Sequence, residues 1–177
     1  MDWITALTLI FGSSLISTLV TKWIDASSDS KKKSDYNKFV ALSLSQNFED
    51  YSWQCAETLE DHKLSVNSHG SSGKEISYPP EKFEIPKESY KHFDISLLDR
   101  VFGFTQMIRS SKSQIHFWYD VCGTEEAIDS ACKETARLGK EALIISEDIR
   151  KKYDLASRHI ELGETNLHDY FKEESNK

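Results

Sequence analysis

Six histidines, three cysteines and twenty-nine carboxylates are the residues of this 177-residue chain that could do acid–base, nucleophilic or metal chemistry. Their spacing argues against each. A carboxylate-bridged metal pair in a helical bundle needs Glu-x-x-His on facing helices, and none of the histidines has an acidic residue three positions before it. Zinc needs a close Cys/His cluster, yet Cys122 and Cys132 are ten apart and Cys55 is remote. All three cysteines lie on or beside apolar stripes, where a free thiol packs as a small hydrophobe. A Cys122–His116 nucleophilic pair is open to the spacing, but no neighbouring group activates it. Gly70-Ser71-Ser72-Gly73-Lys74 resembles the tail of a phosphate-binding loop without the strand before it or the helix after it, so it reads as a turn. Glu164 and His168, four apart, read as a solvated pair, and His92 as a loop residue. The expectation is therefore no catalytic residue, no metal and no cofactor.

The elements that would position any site begin with an apolar segment. Trp3 to Thr21 is nineteen residues without a charge, about 28 Å as a helix, close to the ~30 Å core of a bilayer. Trp3, Leu7, Phe11, Leu15, Leu19 and Trp23 mark it as a single membrane-spanning anchor (residues 1–24), with an indole at each end for the headgroup level. A cleaved signal needs a basic start and a shorter apolar run. A surface-lying helix needs its polar residues on one face, but Thr5, Thr8 and Gly12 share one face and Ser13, Ser17 and Thr21 another. Those last three repeat every fourth position and form a candidate face for self-association. Lys22, Lys31, Lys32 and Lys33 follow the apolar run, which places the C-terminal side in the cytoplasm and the N-terminus outside the inner membrane, and offers charge to lipid headgroups.

Residues 25–34 read as a polar juxtamembrane tether, broken near Ser27 to Ser30 because serine and aspartate favour caps. Residues 35–177 read as one all-α cytoplasmic domain: an antiparallel bundle of three long helices with a hairpin-like insert at 62–93 and a small C-terminal helix. The first helix carries Val40 or Ala41, Leu44, Phe48, Tyr51, Cys55 and Thr58 or Leu59 at three- and four-residue steps, with Glu49 and other charges off that stripe. Leu64–Val66 and Glu75–Tyr78 flank a Gly-rich turn and suggest the hairpin. Asp94 caps a second helix striped by Leu97/Leu98, Val101, Thr105, Ile108, Ile115, Trp118 and Cys122. After Gly123 a third helix carries Ile128, Ala131, Thr135, Leu138, Ala142, Ile145 and Ile149, closed by Arg150, Lys151 and Lys152 at the negative end of its dipole. Leu167, Tyr170 and Phe171 line the last helix.

The net charge of −7 lies wholly past the anchor, which excludes nucleic acid as a partner, since phosphate binding needs a basic surface. An odd number of scattered cysteines fits a reducing compartment. These features point to a non-enzymatic, membrane-tethered interaction, scaffold or sensor module with a protein partner or a second copy of itself. Phe117 and Tyr119 beside Trp118 form its candidate interface if they prove exposed. The competing expectations are a membrane-perturbing oligomer and an enzyme with a site between the bundle and the 62–93 insert.

Overall fold

The computed structural model describes the backbone of residues 3–85, 91 and 93–174, and the side chains of those from residue 31 onward. Four helices and one short hairpin follow in order: α1 (Trp3–Asn67), α2 (Ile95–Val121), α3 (Thr124–Lys152), β1 (Glu161–Leu162), β2 (Thr165–Asn166) and α4 (Leu167–Glu174). Two compact units divide the chain, Met1–Lys38 and Phe39–Lys177. In the first, the backbone is helical from Trp3. The break expected near Ser27 to Ser30 is absent: helical backbone runs through 25–34, and no glycine or proline lies between Gly12 and Gly70 to stop it. Among the residues with described side chains no helix is long and apolar enough to cross a membrane. Trp3, Leu7, Phe11, Leu15, Leu19, Trp23, Ser13, Ser17, Thr21 and Lys22, the expected anchor, lie outside those residues.

The second unit is a bundle of three packed helices. α2 is opened by Asp94, whose carboxylate accepts the Leu97 amide at 3.0 Å, as its sequence predicts. The Cys122-Gly123 link returns the chain at once, with Gly123 at φ +114. The cross-links confirm that α2 and α3 are antiparallel: Arg100 meets Glu141 and Asp148, Ser111 meets Glu134, and Lys152 reaches back to Asp94. α3 is likewise antiparallel to α1, with Glu49 against Ser146 and Arg150, and Cys55 beside Gly139. Phe48, Tyr51, Phe83 and Phe104 form an aromatic centre with ring centroids 4.6–5.8 Å apart, mostly edge to face.

Two stripes shift. α2 buries Phe104 and Ser111, while Thr105 and Trp118 are half-buried and Cys122 is exposed at the helix end. α3 buries Ala127, Ala136, Gly139, Leu143, Ser146 and Arg150 beyond the expected seam, because it touches α1, α2 and α4 together.

The hairpin is displaced as well. Leu64–Val66 continue α1, whose end is closed by the Gly70 amide bonding Ser65 O at 2.8 Å, with His69 and Gly70 at positive φ. The segment then folds back: Lys74 N bonds Asp61 O, Ile76 is buried and the Tyr51 hydroxyl donates to Pro80 O at 3.0 Å. Gly73 has φ +76, and a side chain there would strike the α1 backbone, with a Cβ 2.7 Å from Ser65 N. The hairpin lies instead at 161–166, where Gly163 (φ +63) opens a two-residue loop and Leu162 pairs with Thr165.

Candidate functional site

The site begins with a carboxylate that α1 carries into the interior. Ser45, Glu49, Ser52 and Ala56 fall at four- and three-residue steps, all at most 4% exposed, as a second buried row beside the apolar stripe. Glu49, expected on the solvated side, is 4% exposed, and its partner Arg150, expected as a terminal dipole charge, is 7% exposed. Arg150 Nε donates to Glu49 Oε1 at 2.5 Å and Nη2 to Oε2 at 3.1 Å, a bidentate pair. Ser146 Oγ adds a donor to Oε1 at 2.7 Å, and Arg150 Nη1 closes on Ala156 O at 2.9 Å. Small neighbours let α3 approach closely enough for this geometry. A pair desolvated this far stands only when its remaining valences are also met, and these are.

The Arg150–Ala156 bond pins the chain leaving α3. Asp154 turns it at φ +52, and residues 155–160 then run past Glu49 of α1, which Arg158 meets, before the β1–β2 hairpin. Between this strap and α3 lies a cavity of about 570 Å³. Its apolar lining is Leu143, Leu155 and Ile160, and its charged lining is Glu49, Glu147, Arg150, Lys151 and Arg158. His159 and His168 line it too, and His168 Nε2 lies 2.6 Å from Glu147 Oε1. Glu164, expected to pair with His168, lies on the hairpin loop. Asn166 caps α4 by accepting the His168 amide at 2.9 Å, which fixes that histidine against α3. Arg158 Nη1 touches the outer oxygen of Glu49 at 3.5 Å, and its side chain is 59% exposed.

The expected site residues are scattered by comparison. Lys31, Lys32 and Lys33 are exposed on α1. Phe117 is 57% exposed, whereas Tyr119 is half-buried with its ring 6.0 Å from Tyr78. His116 faces Asp120 at 3.7 Å on the open face of α2. The 68–85 segment and α1 border a second recess of about 490 Å³, lined by Glu57, Asp61, Glu75 and Glu81 and by no histidine. Among the described residues no group of His, Cys, Asp or Glu can hold a metal ion. The thiols sit in three different settings. Burial raises Cys55 far above the ordinary thiol range, and burial aided by Asp129 and Glu174 pushes Cys132 up to about 11.

Sequence reasoning missed Glu49, Arg150, Arg158 and the strap. The signal that marks Glu49 is its place in the row of small residues Ser45, Ser52 and Ala56. Compared with family models, curated proteins and solved structures, the chain matches none of them.

Proposed function

We propose that this chain is a non-enzymatic, membrane-tethered sensor or interaction module, with the cavity between α3 and the 155–160 strap as its recognition element. The cavity itself carries the reading. Its volume falls within the ~300–1,000 Å³ of small-molecule sites, and it combines an apolar wall with a few convergent polar groups. The buried carboxylate there is committed: Glu49 is held by Arg150 and Ser146. Groups locked in this way hold shape and select a ligand, whereas a general acid or base must be poised to exchange a proton.

The tether rests on the uncharged run Trp3 to Thr21, on the basic residues after it and on the helical backbone that begins at Trp3. The bundle then stands on the cytoplasmic side, and Phe117 offers an aromatic anchor to a protein partner.

Titration of the purified chain with 1-hexanol, a neutral probe of the cavity, tests the reading. The methyl resonances of Leu143, Leu155 and Ile160 are expected to move, and Ile160→Trp, which fills the space, is expected to abolish the shifts. Methyls that stay in place at saturating probe would contradict a ligand site here.

A further inference from the structure

Charge inside the cavity runs against the charge of the chain. The protein carries a net −7, yet the cavity is lined by three permanent cations, Arg150, Lys151 and Arg158, against two carboxylates, Glu49 and Glu147. Pairing decides where the excess lies. Glu49 is neutralised by Arg150, through two hydrogen bonds and deep burial. Lys151 and Arg158 then face the one remaining carboxylate, Glu147, which the His168 ring holds on one side, so the cavity keeps a surplus of one positive charge.

Arg158 is the better placed of the two. Among the described residues its guanidinium makes one long contact, 3.5 Å to a carboxylate oxygen that Arg150 already holds. Most of its five N–H donors stay open, in a planar fork that matches a carboxylate. It stands on the strap between Leu155 and Ile160, so an anion held by Arg158 has apolar side chains within the same recess. Leu143, on α3, completes the apolar lining and is only 4% exposed.

We infer that the cavity binds a small aliphatic carboxylate, with its head on Arg158 and Lys151 and its hydrocarbon body against Leu143, Leu155 and Ile160. This rests on the ligand-site reading above and adds the chemical class. A neutral molecule of the same shape forgoes the charge-assisted hydrogen bonds, and a cation meets Arg158 and Lys151 as like charges.

Hexanoate, 1-hexanol and hexylamine share a chain and differ in the head, and their short chains partition weakly into the amphipol that holds the full-length protein. Methyl resonances of Leu143, Leu155 and Ile160 report occupancy. Hexanoate is expected to bind about ten-fold or more tighter than 1-hexanol, with hexylamine weakest. Arg158→Gln should bring hexanoate down to the level of 1-hexanol and leave 1-hexanol unchanged. Lys151→Gln should weaken hexanoate by a smaller factor, and both substitutions are at exposed positions, so folding is retained. Equal binding of 1-hexanol and hexanoate, or hexanoate affinity indifferent to both substitutions, would overturn the carboxylate assignment and leave the cavity as a ligand site. Failure of all three probes would remove the ligand site as well.

Discussion

Glu49 and Arg150 show how little a single residue's polarity says about where it ends up. A carboxylate one position after Phe48 reads as the first solvated residue beside an apolar stripe, and it is buried with Arg150 and Ser146 bonded to it. Removing one partner leaves the other buried and uncompensated. Glu49→Ala is expected to cost about 3–5 kcal/mol in urea denaturation, whereas replacing both partners by Leu and Met should cost much less. Equal costs for the single and double replacements would mean that the pair is not buried as a pair.

The thiols give a second residue-scale prediction. Cys122 is exposed, Cys132 is half-buried with its pKa raised to about 11, and Cys55 is buried. Timed alkylation at neutral pH should modify Cys122 first, Cys132 slowly and Cys55 only on unfolding. Acid stability follows from Glu134. Its partial burial would raise its pKa, but Arg137 and Ser111 outweigh that and hold it below the ordinary glutamate range. Its contribution is present above that range and fades as pH falls through the lowered value. Arg137→Gln should flatten this part of the acid denaturation curve.

Among the elements, those with a strong period and a cap were legible, and those set by backbone geometry were not. Asp94, Gly123 and the α3 seam predicted two helices and their antiparallel return. Leu64–Val66 alternates in hydrophobicity and so imitated a strand, but three residues attached to a long helix simply extend it. The hairpin at 161–166 has only two pairs of residues, too short for a periodic signal, and Gly163 was its one mark. Gly139 carried a similar unread message. A Cβ there would lie 2.6 Å from Phe171 Cε1 and 2.9 Å from Cys55 Cβ, so the missing side chain is what lets α4 dock on α3 beside α1. Gly139→Ala is expected to cost about 1–3 kcal/mol through overpacking and to raise hydrogen exchange in α4. Lys63 also fastens α4, bonding Glu60, Glu174 and the Tyr170 hydroxyl from the end of α1.

For the molecule as a whole, the hydrophobic period predicted a bundle of packed helices, but the cavity was beyond the reach of sequence reading. It is made by residues from α1, α3, the strap and the start of α4, from Glu49 to His168, and no local pattern connects them. What joins them is the Arg150 side chain, which holds Glu49 with one edge and Ala156 with another. The same wide separation makes the cavity depend on the full bundle, so a loosened α4 or strap should weaken hexanoate binding without touching Arg158.

The tether is the claim on which the placement of everything else depends, and alkaline carbonate extraction of membranes from cells expressing the intact chain tests it most directly. The polypeptide is predicted to stay with the lipid pellet after the wash, as a helix spanning hydrocarbon does. Its release into the supernatant would contradict the account.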